Sequence, residues 1–310
     1  MTSTPATPGA LDLTPLYKLK TWVLGSPADT TSDTLLQMQL SAMSQNVLQH
    51  LERETFISTA YDDFYEGLGQ RQQRLRRWPV TSVSLVAVRN VALPLIPYIT
   101  PSGPSVAATE TFQSLQGYGY KVKLWDGTLP GFGSSILFQA APPTVGPKAV
   151  EVKYTAGYLQ TDPAIAIPAA PYVVTTLQPF GSWIADNGVM NAATGAALTP
   201  ITSGTPAAGQ YLVRQATTDG IIPAGTYLFS QADQQAGVQV IISYSFCPAA
   251  VEMVLWDWVN WTQAARGRPG LKSKVLAGQE TMVYDTSGVP DFVKSRLQPY
   301  ANVVIPAEFY

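Results

Sequence analysis

The sequence predicts an α+β protein: a small α-helical bundle core that carries β hairpins, with an all-β module inserted between its helices. Three observations lead there. Helix-period apolar patterning is confined to the two ends of the 310-residue chain. The middle alternates β-branched and aromatic residues between breaks at Gly, Pro and Asn, and it holds most of the chain's 24 glycines and 25 prolines. From 156 to 247 there are only one Arg and four Asp, a change of composition that marks an inserted module.

The elements follow in order. Thr14 as N-cap and Pro15 at the first helical position start a short helix through Leu16, Leu19, Trp22 and Val23 that stops at Gly25. A longer helix capped near Ser32 or Asp33 places Leu36, Leu40, Met43, Val47 and Leu51 on one face. Phe56 to Tyr65 and Ser82 to Val88 read as strands. Two strand–turn–strand pieces echo each other, 135–154 and 226–244, and read as hairpins that arose by duplication or by convergence of β patterns. Helix returns from Pro248 through Trp256, Trp258 and Trp261 to Arg266, and again from Pro290 to Leu297.

Charged residues make up only 13% of the chain, against about a quarter in ordinary soluble domains. With seven Trp and fifteen Tyr, such a surface is expected to be covered by partners. The net charge of −2 gives no overall basic field for nucleic acid. Met1 to Ala10 lacks the apolar core of a signal peptide, and apolar runs such as Val91 to Ile99 are broken by proline, so no membrane segment is expected. The chain is expected to be made in the cytoplasm.

Catalysis has little to work with, and the chain is expected not to be an enzyme and to need no cofactor or metal. His50 is the single histidine, late on the long helix, and Cys247 the single cysteine, before Pro248. Asp62, Asp63 and Glu66 lack the spacing of a cation loop and read as a solvated turn. Arg71, Arg74, Arg76 and Arg77 form the one basic cluster, suited to phosphate or DNA contact, to an acidic partner surface, or to guarding a strand edge. Trp258 and Trp261 share a helix face and are candidates for a subunit interface, while Trp256 points elsewhere. Val303, Val304, Ile305, Phe309 and Tyr310 form an apolar tail expected to dock on a partner.

Several blocks resemble the head–tail connector (adaptor) family of tailed phages. They are the short helix Leu13 to Gly25, the capped helix Ser32 to Arg53, and the segment Leu75 to Val88 with Pro79-Val80-Thr81-Ser82-Val83. The sequence Tyr154 to Tyr158, Lys272-Ser273, Gly278 to Thr281 and the closing Val289 to Tyr300 complete the set. The departure is residues 159–247, which separate Tyr158 from the Pro-started helix and look like a small β module of virion proteins. The resemblance implies an adaptor core over 1–158, an inserted module over 159–247 and C-terminal helices with a portal-docking tail over 248–310. It implies a virion neck protein: a twelve-subunit homo-oligomeric ring under the portal protein, with the next neck or tail component beyond it and genomic DNA passing non-specifically through its channel. An alternative from another class is a carbohydrate- or host-surface-binding module, with Trp183, Tyr211, Tyr227 and Phe229 as a stacking platform.

Overall fold

The structure, a computed structural model, describes residues 11–95, 120–123, 135–138, 143, 145–265, 273–276, 280–283 and 289–302. The chain divides into two compact units, one made of Met1–Phe56 with Leu159–Ala301 and the other of Ile57–Tyr158 with Asn302–Tyr310.

The first unit begins with α1 (Leu16–Leu24) and α2 (Asp33–His50). Helix α1 ends at Gly25, whose φ of 72° is the left-handed cap that lacks a Cβ penalty. Helix α2 buries Leu36, Leu40, Val47 and Leu48, and Leu51 just beyond it, at the spacing of one face. Lys20 of α1 is fully buried and its ammonium lies 2.7 Å from Asp33 at the start of α2.

The second unit holds β1 (Thr59–Gly67), β2 (Gln72–Arg74), β3 (Val80–Val88), β4 (Val91–Ala92), β5 (Tyr120–Lys123), β6 (Ser135–Phe138) and β7 (Gly146–Ala156). One antiparallel sheet has the order β1-β7-β3-β4 and a second has β2-β6-β5. Strand β7 is central, and its Val150, Val152, Tyr154 and Ala156 alternate into the core as period two demands. Leu75, Ile136 and Phe138, from in or beside the second sheet, join the same core.

The chain then re-enters the first unit with β8 (Leu159–Thr161), β9 (Ile165–Ala166), β10 (Val173–Thr175), β11 (Gly181–Asn191), β12 (Thr199–Ile201), β13 (Gln210–Arg214) and β14 (Thr226–Phe229). Next come α3 (Gln231–Gln235), β15 (Gln239–Pro248), α4 (Ala249–Ala265), β16 (Ser273–Leu276), β17 (Glu280–Val283) and α5 (Asp291–Leu297). Strand β15 pairs with β11 and β8 on its two sides, and also with β9, while β10-β14-β13-β12 form a second sheet. Val240, Ile242, Tyr244 and Phe246 alternate inward along β15, which runs directly into α4. No helix among the described residues is long and apolar enough to cross a membrane.

The expected α-helical bundle core is not what is found. The described residues contain seventeen strands and five α-helices; the second unit's core is built on strands, and the first unit buries strand residues such as Tyr211, Tyr227 and Ile242 beside helical ones such as Leu40 and Leu255. The helices do meet one another, but α4 also packs on β11 and β15. The strands prevail because alternating apolar residues along β7 and β15 give the two sheets they centre a buried face. The two expected hairpins are corrected as well. Strands β6 and β7 lie in different sheets, and so do β14 and β15. Hairpins close through loops of two to five residues or so, and these links are longer. The second link even holds α3, where Ser230 accepts from the Asp233 N–H as an N-cap. What the two echoing segments share is a step from one sheet to another.

Candidate assembly surfaces

The exposed face of α2 carries no charge: from Thr34 to Gln49 no residue is ionisable. Leu35 is 46% exposed and Met38 is 68% exposed, with Ala42, Gln45, Asn46 and Gln49 continuing the face outward. A solvated helix ordinarily places charge there. A second apolar surface joins α1 to α4, where the rings of Trp22 and Trp256 lie 5.8 Å apart and Met253 sits one turn before Trp256. Trp22 is 48% and Met253 45% exposed. Asp257, paired with Arg296 at 3.0 Å, puts charge on the same helix.

The third surface is the loop between β10 and β11, where Leu177 and Phe180 are 62% and 59% exposed and Pro179 is exposed between them. Its backbone is held throughout. Thr176 N–H donates to Gly225 O, Leu177 N–H to Asp162, and Gln178 N–H to the Tyr244 hydroxyl. The Phe180 carbonyl accepts from Ala249 at the start of α4. Gln178 has a φ of 47°, unusual for a side chain with a Cβ. Its amide donates to Ala224 O at 2.6 Å and to Thr176, and its carbonyl accepts from Trp183 N–H.

Trp258 is buried with Val251, Val254, Leu255 and Val259, so it belongs to the core of its own unit and not to a subunit surface. Trp261 is half-buried. Arg71, Arg74 and Arg76 are exposed in and beside β2, which among the described residues is an edge strand paired with β6. Arg77 instead lies 2.8 Å from Asp63 and over the Tyr61 ring, so its charge is engaged internally. Asp62 and Asp63 are no turn; they alternate on β1, with Asp62 paired to Lys153 and Asp63 accepting from Tyr154 as well as Arg77. The tail residues Val303, Val304, Ile305, Phe309 and Tyr310 lie outside the described residues. Tyr211, Tyr227 and Phe229 are buried and present no face for a sugar, leaving Trp183 half-buried with its indole donating to Tyr227.

Groups able to do chemistry are engaged in structure. Burial raises the Cys247 thiol well above its ordinary value and the Glu252 charge adds to this, so the reactive thiolate is disfavoured. Lys18 Nζ donates to Ser182 Oγ at 2.6 Å, the spacing of a serine–lysine pair, but Ser182 is fully buried and itself donates to Glu252. Thr14 Oγ1 donates to the same carboxylate oxygen at 2.5 Å, making the cluster a knot that ties α1, β11 and α4. A cleft of about 350 Å³ lined by Leu16, Gln37, Trp183, Val213 and Arg214 also includes Asp12, whose carboxylate already accepts from Gln37 and Ser41. Among the described residues no group of three or more His, Cys, Asp or Glu is placed to hold a metal ion.

Sequence reasoning missed Leu177 and Phe180 because their exposure depends on a loop held by distant strands. It passed over the α2 face as well, although a local signal exists there: an uncharged run of sixteen residues in a helix whose apolar stripe needs only a few of them. No protein-family model matches the chain, and no curated protein matches it.

Proposed function

We propose that this chain is a structural virion protein, a head–tail connector that assembles as a ring of identical subunits under the portal and offers a platform to the next neck component. The observation that carries this reading is the uncharged α2 face with Leu35 and Met38 exposed, a surface suited to burial against protein. The ordered blocks that resemble the connector family support it, and they supply the expected twelve-fold ring. The acidic balance suits a channel that conducts DNA without gripping it, because neutralising many phosphates would oppose sliding. Arg71, Arg74 and Arg76 are exposed cations available for passing backbone contact. In this reading the chain performs no catalysis.

Light scattering and electron microscopy of the purified chain test the reading, together with binding to portal-bearing, DNA-filled heads. Ring-shaped oligomers that bind such heads are the expected result. A chain that stays monomeric at every concentration and ignores the heads would overturn it.

A further inference from the structure

We infer that the Leu177–Phe180 loop is a preformed knob that seats against the uncharged α2 face of a second copy of this chain, as a head-to-tail contact. The inference rests on the self-assembly reading above and names the two surfaces that would mate. A loop is ordinarily the adaptable part of a domain, yet here its backbone is fixed by hydrogen bonds from Thr176, Leu177, Gln178 and Ala249. The left-handed Gln178 is held by three further bonds through its own amide. An uncommon conformation persists when its surroundings over-determine it, and such positions cluster at ligand clamps and switch regions. What this one achieves is outward display of Leu177, Pro179 and Phe180. Preordered apolar side chains bind with little loss of freedom, which favours them as anchors.

The occupant follows from charge. From Pro163 to Ala185 the chain has no Asp, Glu, Lys, Arg or His, so the knob has no charged side chain of its own to pair with a charged partner. The α2 face has the same property from Thr34 to Gln49, whereas the Trp22–Trp256 surface shares its helix with the Asp257–Arg296 ion pair. The methionine at the α2 face adds a side chain that adapts to an incoming ring. Two fixed protrusions meeting tip to tip bury little of each other, whereas a knob laid on the helix face buries both, so the knob is paired with the face. Knob against helix face is a heterologous contact, and repetition of such a contact generates a ring where its rotation closes.

Sedimentation of the full chain across a range of concentration tests this with two variants, Leu177→Ser/Phe180→Ser and Met38→Lys. The altered side chains are mostly exposed, so thermal unfolding should stay close to the parent, less the contact of the Phe180 ring with Phe246 at 6.2 Å. Each is expected to weaken self-association by about thirtyfold, the scale of a central interface anchor. Mixed together, the two variants retain one intact knob and one intact face, and should form a heterodimer that grows no further. If either variant folds poorly, Leu177→Cys/Met38→Cys in one chain should form covalent oligomers on oxidation, leaving buried Cys247 unreacted. A parent chain that assembles while either variant assembles equally well, or while the paired cysteines fail to cross-link, overturns the inference and leaves the ring reading standing. A parent chain that never self-associates overturns that reading itself.

Discussion

Glu252 shows how a single residue serves several elements. It is 3% exposed, yet its carboxylate accepts from Thr14 before α1 and from Ser182 in β11, with the Lys18 ammonium 4.0 Å away. A buried charge survives only when hydrogen bonds replace its water, and here two hydroxyls and one cation do so. Glu252→Ala would leave both buried hydroxyls without this acceptor, and urea unfolding should show a loss of about 2–3 kcal/mol. Glu252→Gln keeps an acceptor oxygen and should lose less than half of that. Equal losses from the two substitutions would mean that packing volume, not the acceptor, is what Glu252 supplies. Nothing in the local sequence hints at this knot: Thr14 reads as a helix cap, and Ser182 stands out in no motif. Partners 238 and 70 residues away leave no local pattern.

At the scale of elements, helix starts and stops were legible where capping chemistry is local, as at Gly25 and Pro248. Strand partners were not, because β6 and β7 carry the same alternation whether they pair with each other or with distant strands. What fixes the pairing includes a set of tyrosine–carboxylate ties. Asp186 of β11 accepts from Tyr211 of β13 and Tyr227 of β14, joining two of the first unit's sheets. Asp162 accepts from Tyr244, and Asp63 from Tyr154. Burial pushes the Tyr244 and Tyr65 hydroxyls up to about 12, and raises those of Tyr154, Tyr211 and Tyr227 as well. The folded state therefore favours neutral phenols that ionise near 10 once unfolded. This contribution is complete below about pH 10 and is lost as pH rises through about 12. Tyrosinate absorbance from these residues should appear together with loss of the β-sheet circular dichroism. Ionisation of the buried tyrosines with the native spectrum intact would show that the ties are dispensable.

For the whole molecule, the change of composition at 156–247 pointed to an independent module, but Ser182, Asp162 and Thr218 lie in that stretch and are bonded within the unit that contains the helices. Lys20 donates to Thr218 O at 3.1 Å, and Ala249 opens α4 on the Phe180 carbonyl. Low charge there reflects a surface and a core shared with helices, which composition alone does not separate from an insertion. The stretch Ile57–Tyr158 has the better claim to independence. It contains two sheets around one core, and its chain leaves where it arrived: Thr59 pairs with Ala156, and Gly157 is so close to Ile57 and Ser58 that a Cβ would meet backbone atoms at 2.5 Å. Segments whose ends are adjacent are tolerated as insertions, and their removal strains the remainder least. Replacing 57–158 by a short Gly/Ser linker should therefore leave a chain with cooperative thermal unfolding and an undiminished helical signal. Replacing 160–246 in the same way should abolish cooperative unfolding, since it removes β11, the β15 sheet, Ser182 from Glu252 and Lys18, and Thr218 from Lys20 together. If the second deletion folds and the first does not, the helices draw their stability from the 57–158 sheets, and the division into units is not a division of folding energy.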